Sequence, residues 1–320
     1  MRVSVVIPCH NVEQHLEAAL GSVLVQTHTD LDVICVDDGS TDGTLESVRK
    51  HFGHDHRLRI VATDNQGQML AQQTGAALAR GEVILFLDDD VQLAPGTVTR
   101  HLHRHHADNT EVVVGHMPCV LDGLGPEHWP VRLYQSQYER KVDLWTRDRR
   151  TVLDHLWGGN VSIRKSAWEA LPPYPGDQPL GYHMDWELGL RCRFAGLTAT
   201  FERELEAVHH QRRDLSGFLR DRHRSADDRI LVHHLYASQL GPLPLTHFTQ
   251  DCSRLTSVVI RRRWARLAAV IRVWMTLGMY GATRLRLWGC QRRCALDSTS
   301  IEGALKLLRS ERRSDAGSAH

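Results

Sequence analysis

Apolar and polar positions alternate between two patterns along the first 115 residues of the chain. Short apolar runs bounded by turn residues predict strands rather than helices, and they lie at residues 3–7, 31–36, 58–62, 83–87 and 112–115. Apolar residues at helical spacing predict helices between them, at residues 12–26, 44–51, 67–80 and 97–106. Repeated β-α units with short connections predict an α/β fold, with a doubly wound, mostly parallel sheet flanked by helices.

The strand predicted at residues 83–87 ends in three consecutive carboxylates, Asp88, Asp89 and Asp90. In open α/β sheets, ligands bind at the carboxyl ends of the strands. Neighbouring carboxylates repel one another unless a cation lies among them, and Mg²⁺ or Mn²⁺ prefers oxygen ligands. Because side chains alternate along a strand, Asp88 and Asp90 are the pair predicted to bind a divalent metal. The alternative interpretation of this triplet is a solvated acidic turn.

Charge and cysteine content exclude several classes of protein. The 320 residues carry a formal net charge of only +1, which gives no field for nucleic acid, so no nucleic-acid partner is expected. The seven cysteines form no CxxC pair and are expected to be reduced thiols. A strand-like run begins directly after Arg2 and leaves no room for a signal peptide, so a cytoplasmic location is expected. The histidine-rich residues 51–56 and 101–106 are interpreted as solvated helix faces or loops.

Four segments in register resemble the inverting family-2 glycosyltransferases of GT-A fold. They are residues 3–11 (VSVVIPCHN), residues 36–44 (VDDGSTDGT), residues 65–81 beginning Asn-Gln-Gly, and residues 87–90 (LDDD). The resemblance implies a nucleotide-diphospho-sugar donor, with a UDP-sugar expected, and a saccharide or lipid-linked acceptor. It implies that Pro8 and Asn11 line the nucleoside, that Asp38 binds the base, and that Gly67, Asp88 and Asp89 also bind the donor. Gln72-Gln73 stands where relatives often carry Arg-Asn, which leaves the donor in doubt.

The second predicted chemical centre is the helix that ends at Gly196. Asp185 lies in its first turn, where the positive end of the helix dipole favours an ionised carboxylate. The segment resembles the Glu-Asp-Trp-Glu-Leu motif of the family, although Met184 replaces the first Glu, and this resemblance implies that Asp185 is the catalytic base. Glu187 is the rival, because two helical residues point about 200° apart and cannot both face the acceptor.

Three further assignments stay open in the sequence. Relatives place a histidine after the strand near residue 200, and the predicted metal ligands are therefore Asp90, Asp88 and His209, with His210 as the alternative to His209. The segment Gly158-Gly159-Asn160 is interpreted either as part of the acceptor side or as a tight turn. The aromatic residues between 129 and 145 are expected to pack in the core; they are Trp129, Tyr134, Tyr138 and Trp145.

The C-terminal part of the chain has a different character. Residues 251–320 hold fourteen Lys/Arg and five Asp/Glu. Residues 1–220 are predicted to form the catalytic domain, with 1–115 binding the nucleotide-sugar and 116–220 the acceptor. Residues 221–310 are predicted to form a basic amphipathic helical appendage, and 311–320 a disordered tail.

Within the predicted appendage, arginines from Arg261 to Arg272 alternate with apolar residues that are predicted to share one helix face, namely Trp264, Leu267, Ile271, Trp274 and Met275. The apolar stretch that follows Arg272 is too short to span a bilayer. Residues 256–290 are therefore interpreted as a peripheral contact with an anionic membrane, at the inner face of the plasma membrane. A helix packed on the catalytic domain with a solvated arginine face is the alternative.

Together these features predict a metal-assisted, inverting hexosyl or other glycosyl transfer to an acceptor hydroxyl by single displacement. A nucleotide-sugar-binding protein without catalysis is one alternative, with Met184 and Gln72-Gln73 as signs of decay. A sugar-phosphate nucleotidyltransferase is a weaker alternative, because residues 9–12 do not form the Gly-rich basic loop that such an enzyme needs.

Overall fold

The computed structural model describes residues 1–13, 15–107, 109–250, 252–261, 265–285 and 288–317. The chain divides into two compact units, of which the first comprises Met1–Val120 and Tyr134–Gln211, and the second comprises Leu121–Leu133 and Arg212–His320. The boundary lies before the predicted one at residue 220. The side chain of Asp214 accepts a hydrogen bond from the backbone N–H of Gly217 and starts a 21-residue helix, so this segment folds with the C-terminal helices.

One eight-stranded sheet forms the centre of the first unit. Its strands are β1 (Val3–Cys9), β2 (Leu31–Asp38), β3 (Leu58–Thr63), β4 (Val83–Leu87), β5 (Val91–Leu93), β6 (Val112–His116), β7 (Asn160–Arg164) and β8 (Ala199–His209). They lie in the order β3-β2-β1-β4-β7-β6-β8-β5. The first four strands in that order are parallel, whereas β7 runs antiparallel to both of its neighbours. The predicted α/β fold is therefore confirmed, with a sheet that becomes mixed beyond β4.

Helices cover this sheet at the positions that the periodicity predicts. They are α1 (Leu16–Leu24), α2 (Thr44–Phe52), α3 (Gln68–Leu78), α4 (Thr97–Ala107), α5 (Trp129–Arg147), α6 (Thr151–Asp154), α7 (Lys165–Ala170) and α8 (Met184–Phe194). Strand β1 continues through Pro8 to Cys9, although the proline was expected to end it. Proline is tolerated there because the pairing of β1 with β4 ends at Val6, so the missing N–H leaves no ladder partner on that side.

Two histidines of α4 are buried, which makes the solvated-helix interpretation wrong for them. Oγ of Ser162 lies 2.8 Å from Nδ1 of His101 and 2.8 Å from Nε2 of His105. Nε2 of His101 lies 2.9 Å from the side-chain oxygen of Asn160. Burial lowers the pKa of His101 to about 3 and that of His105 to about 4, so both rings pack as neutral hydrogen-bonding groups that tie α4 to β7.

The second unit is helical. Its helices are α9 (Leu215–Leu235), α10 (Ala237–Leu240), α11 (Arg254–Arg261), α12 (Ala265–Arg284) and α13 (Trp288–Gly317). Fully buried residues such as Ile301 and Ala295 mark its apolar core. None of the helices in the described ranges is long and apolar enough to cross a membrane.

Two predictions for the C-terminal part meet the structure differently. Helix α13 continues to Gly317, whereas disorder was predicted from residue 311. Helix extension adds one hydrogen bond per residue once a docked helix exists, so a polar end need not unfold. Residues 318–320 lie outside the described residues, and so does the predicted membrane-facing Trp264.

Candidate active site

The acidic triplet, Asp88, Asp89 and Asp90, lies directly after β4 at the carboxyl end of the parallel strands. Gln68, at the start of α3, donates a hydrogen bond of 3.0 Å from its amide to Oδ1 of Asp88. Burial, followed by the charge of Asp90, raises the pKa of Asp88 to about 7. Burial and the two neighbouring carboxylates raise the pKa of Asp89 well above its usual range. Three negative charges are therefore disfavoured here unless a cation accompanies them.

His209, at the end of β8, is the partner of Asp90. Its Nε2 lies 3.1 Å from Oδ2 of Asp90, and only 4% of the residue is exposed. Burial by itself would lower the pKa of this histidine, but the hydrogen bond and charge of Asp90, together with Cys119, raise it to about 10. The ring of His210 instead lies 3.1 Å from Oε1 of Gln92. His209 is therefore the histidine that reaches the triplet.

The donor groups fit a divalent metal that is bound partly by substrate. Among the described residues, no three His, Cys, Asp or Glu side chains are arranged to hold a metal by themselves. Asp88, Asp90 and His209 thus do not form the ready three-ligand site that was predicted. Mg²⁺ typically takes one or two protein carboxylates and completes its shell with substrate phosphates and water, which suits Asp88 and Asp90. A protonated His209 cannot ligate a metal, so in this structure it acts as the partner of Asp90.

Asp185 lies in the first turn of α8, as predicted. Its Oδ2 accepts a hydrogen bond of 2.9 Å from the backbone N–H of Gly158, and its Oδ1 accepts one of 2.7 Å from that of Trp186. Burial raises the pKa of Asp185 to about 6, although these two N–H donors oppose the shift. The carboxylate is therefore held in one orientation and ionises close to neutral pH.

Glu187, the rival base, faces the interior. It is fully buried, and its two carboxylate oxygens lie 3.0 and 3.1 Å from Nε of Arg191. A buried ion pair of this kind holds the helix to its neighbours and leaves no room for a substrate hydroxyl. The geometry therefore favours Asp185 over Glu187 as the base.

The turn Gly158-Gly159 lies between the two carboxylate centres. A Cβ atom added to Gly159, which has φ of +104°, would lie 2.7 Å from Oδ2 of Asp88 and 2.8 Å from Sδ of Met117. A Cβ atom added to Gly158 would lie 3.3 Å from Cβ of Asp185. The two glycines thus allow Asp88 and Asp185 to approach the same turn from opposite sides.

Asn160 and Trp157, on either side of this turn, have structural contacts. The amide nitrogen of Asn160 donates to the backbone carbonyl of Leu205 at 3.0 Å, and the residue is buried, so the tight-turn interpretation holds for it. The indole N–H of Trp157 donates to the hydroxyl of Tyr134 at 2.7 Å. The ring centroid of Tyr134 lies 5.5 Å from that of His209. These aromatic rings form a wall beside the Asp90–His209 pair.

The four aromatic residues predicted to pack in the core are buried, with exposures of 8% or less for Trp129, Tyr134, Tyr138 and Trp145.

Three of the predicted donor-binding residues lie at the ends of β1 and β2 or in the loop before α3. Asp38 accepts hydrogen bonds of 2.9 and 2.8 Å from the backbone N–H groups of Gln66 and Gly67. Asn11, with φ of +56°, accepts from the N–H of Thr41 at 2.8 Å. Gly67, with φ of +93°, has no atom within 4 Å of an added Cβ, which leaves open space beside it.

Pro8 is buried inside β1, so its ring packs within the sheet rather than on an open surface. Sequence reasoning missed two residues of this edge. Gln68 follows the Asn-Gln-Gly segment, and only its position after Gly67 could have marked it. Nδ1 of His10 lies 2.9 Å from the backbone carbonyl of Asp38, a contact that needs the parallel register of β1 and β2.

This combination of a mixed α/β sheet, a carboxylate triplet after a parallel strand and a carboxylate at a helix start defines a glycosyltransferase of GT-A fold. Residues 4–170, just over half of the chain, match the family described as glycosyl transferase family 2. The protein belongs to this family.

Individual relatives agree with this assignment. An uncharacterized glycosyltransferase of Nostoc sp. is 34% identical over 124 residues, which are 38% of this chain and 38% of that relative. The chain therefore matches well under half of that protein's length.

Two solved structures share the fold. The mannosyltransferase PcManGT of Pyrobaculum calidifontis, in complex with GDP-Man and Mn²⁺, has a TM-score of 0.54 at 18% identity and covers 94% of this chain and 86% of its own. TarS 1-349 of S. aureus, in complex with UDP-GlcNAc, has a TM-score of 0.53 at 16% identity and covers 98% and 92%.

Proposed function

We propose that this protein transfers a glycosyl group from a nucleotide-diphospho-sugar to an acceptor hydroxyl in one displacement that inverts the anomeric centre. The observation that carries the proposal is the placement of Asp88 and Asp185 against the two glycines of one turn. One centre has the chemistry to hold a leaving diphosphate, and the other has the chemistry of a base. A sugar bound between them would be attacked on the face opposite its leaving group.

Asp185 acts as the general base in this proposal. A pKa of about 6 leaves the carboxylate ionised at neutral pH while keeping it basic enough to accept a proton. As the acceptor oxygen forms its bond to the anomeric carbon, its proton passes to Asp185 and the bond to the diphosphate breaks. The N–H groups of Gly158 and Trp186 fix the carboxylate, so little reorganisation is needed when the acceptor binds.

The triplet side stabilises the leaving group. Asp88 and Asp90 would hold a divalent Mg²⁺ or Mn²⁺ ion, which supplies electrostatic stabilisation of the charge that develops on the diphosphate. Gln68 orients Asp88 through its amide, and the positive charge of His209 keeps Asp90 ionised. Among the neighbours, the mannosyltransferase carries GDP-Man with Mn²⁺ and TarS carries UDP-GlcNAc, which supports a metal-assisted nucleotide-sugar donor.

The nucleotide is proposed to lie at the ends of β1 and β2. Asn11, Asp38 and Gly67 surround the open space beside Gly67, and Asp89 lies at the neighbouring end of β4. A UDP-sugar remains the proposed donor, and a saccharide or lipid-linked hydroxyl the proposed acceptor.

A donor screen followed by product analysis tests the proposal. The full chain is incubated with Mn²⁺ and a panel of UDP- and GDP-sugars, and release of the nucleoside diphosphate is measured with and without simple glycoside acceptors. We expect Mn²⁺-dependent release from one donor, and a product whose anomeric configuration, read by proton NMR, is opposite to that of the donor. Tight donor binding without any release would instead identify a binding protein, and retained configuration would exclude single displacement.

A further inference from the structure

Helix α12 exposes a continuous apolar face, which is called the outer stripe. Its members recur at spacings of three and four residues and are exposed by 43–70%; they are Leu267, Val270, Val273, Trp274, Leu277 and Tyr280. Scattered exposed apolar residues are normal on soluble proteins, but a contiguous exposed patch marks an interaction surface.

The opposite face of α12 already packs against the second unit. Ala268 and Met279 are buried, with 4% and 2% exposed, and Ile271 packs against the same apolar core. The helix therefore has two apolar faces rather than the single one that the sequence predicted. Ile271 serves the inner face, whereas Leu267 and Trp274 lie on the outer stripe, so internal packing does not account for the outer residues.

The charge around the outer stripe has one sign. Residues 252–296 contain ten arginines and no Asp, Glu or Lys. Arg261 and Arg284 are exposed at the ends of α11 and α12. Arg272 is 43% exposed and lies 3.6 Å from Glu302 of α13. A surface that combines exposed apolar residues with uncompensated arginines is complementary to a partner with an anionic layer over an apolar one.

We propose that the outer stripe lies in the interface of an anionic lipid membrane, parallel to its plane. Leu277, Val270 and Val273 would enter the acyl boundary. Trp274 and Tyr280 combine an apolar ring with a polar group and suit the headgroup level. The arginines at the helix ends would contact lipid phosphates. Such a helix binds by lying on the bilayer, and it need not span it.

Vesicle binding of the full chain tests this surface without donor or acceptor, so the outcome is independent of the catalytic proposal. Co-flotation is measured with phosphatidylglycerol vesicles and with phosphatidylcholine vesicles, at low and high salt. We expect flotation with phosphatidylglycerol that weakens as salt rises, because exposed charge attraction is screened.

Variants locate the surface. Trp274→Glu/Leu277→Glu removes two inserted side chains, so the partition coefficient should fall on the order of 100-fold. The matched control is Val25→Glu/Leu78→Glu, which adds the same charges at residues of the first unit that are 75% and 40% exposed, and it should bind vesicles far better than the first variant. Arg261→Gln/Arg284→Gln should lower binding by about fivefold per arginine.

Leu277→Ser/Tyr280→Ser guards against misfolding, since it shortens the stripe without adding charge, and circular dichroism checks its fold. It should also lose binding. The proposal is overturned if the wild type fails to float with phosphatidylglycerol at low salt, or if folded stripe variants bind as well as the wild type. It is equally overturned if sedimentation shows that the stripe variants convert a stable dimer to a monomer while vesicle binding is absent.

Discussion

The two carboxylate centres beside the Gly158-Gly159 turn reach raised pKa values by different routes. Asp88 is raised to about 7 by burial and by the charge of Asp90. Asp185 is raised to about 6 by burial, while two backbone N–H donors oppose the shift. A crowd of carboxylates gains most from a cation, whereas a single carboxylate held by N–H donors gains most from a proton. The difference assigns metal and leaving-group chemistry to one centre and proton transfer to the other.

The largest effect that separates the centres is expected at Asp185. Asp185→Asn keeps the shape of the side chain and removes the proton acceptor, so transfer should fall by about 10²–10⁴-fold. Asp177→Asn, at an exposed position, is the matched control and should leave transfer unchanged. Initial rates at saturating donor and acceptor measure both variants.

Glu187→Gln tests the rival base. Replacing Glu187 leaves Arg191 buried beside a neutral partner, and breaking a buried pair costs about 3–5 kcal/mol. We expect a lower melting temperature with transfer per folded molecule largely retained. Loss of transfer without loss of stability would make Glu187 the base.

The second effect concerns the metal centre. Asp90→Ala removes one predicted metal ligand and leaves His209 without its partner. Mn²⁺ together with a nucleoside diphosphate should raise the melting temperature of the wild type by mass action and should not raise that of the variant. Asp42→Ala, a carboxylate of the loop after β2, is the control and should keep the shift. An equal shift in Asp90→Ala and the wild type would remove Asp90 from the metal site.

A third variant acts on the turn between the centres. In Gly159→Ala, the new Cβ would lie 2.7 Å from Oδ2 of Asp88, so Asp88 or the turn must shift. Gly123→Ala is the matched control, because Gly123 has φ of +76° and no atom within 4 Å of its added Cβ. The control should lose about 1–2 kcal/mol of stability from the positive φ alone. Gly159→Ala should lose more stability and most of the transfer activity, as measured by denaturant unfolding and initial rates.

The pH dependence of transfer gives the smallest of the four effects. The base must be deprotonated, so the rate should rise tenfold per pH unit below about 6 and level off above it. Asp185→Asn should lose this dependence.

The same pKa shifts affect stability with the opposite sign. The folded pKa values of Asp88 and Asp185 lie above the unfolded value of about 4. Their contribution to metal-free stability is therefore fully present below pH 4 and is lost as the pH rises through about 6 and about 7. If the metal-free protein were instead more stable at pH 8 than at pH 5 because of these groups, Asp88→Asn would lower the melting temperature at pH 8 rather than raise it.

Much of the first unit follows from local patterns. An apolar run that ends in Asp88, Asp89 and Asp90 contains both the strand and its rim, and helical spacing places Asp185 in a first turn. The burial of His101 and His105 could not be predicted, because it depends on Ser162, whose separation from them in sequence is 61 and 57 residues. The contact of Gln68 with Asp88 likewise depends on how α3 packs beside β4.

The second unit was harder to predict for a physical reason. Helix α12 is apolar on two faces, and periodicity alone cannot tell which face packs inward. Ile271 and Trp274 are both apolar, yet only the position of α13 decides that the former packs and the latter is exposed. The boundary near residue 211 depends on the cap at Asp214, a signal that was present in the sequence but was assigned to a later helix start.

The most direct test of the two-centre account measures binding and transfer on the same two variants. Asp185→Asn and Asp90→Ala are each titrated with Mn²⁺ and the donor's nucleoside diphosphate by thermal shift, and each is assayed for single-turnover transfer. The account predicts that Asp185→Asn binds as the wild type does but transfers at least about 100-fold more slowly, while Asp90→Ala loses metal-dependent binding as well as transfer. Loss of nucleotide binding in Asp185→Asn, or transfer that survives in it, would contradict the account.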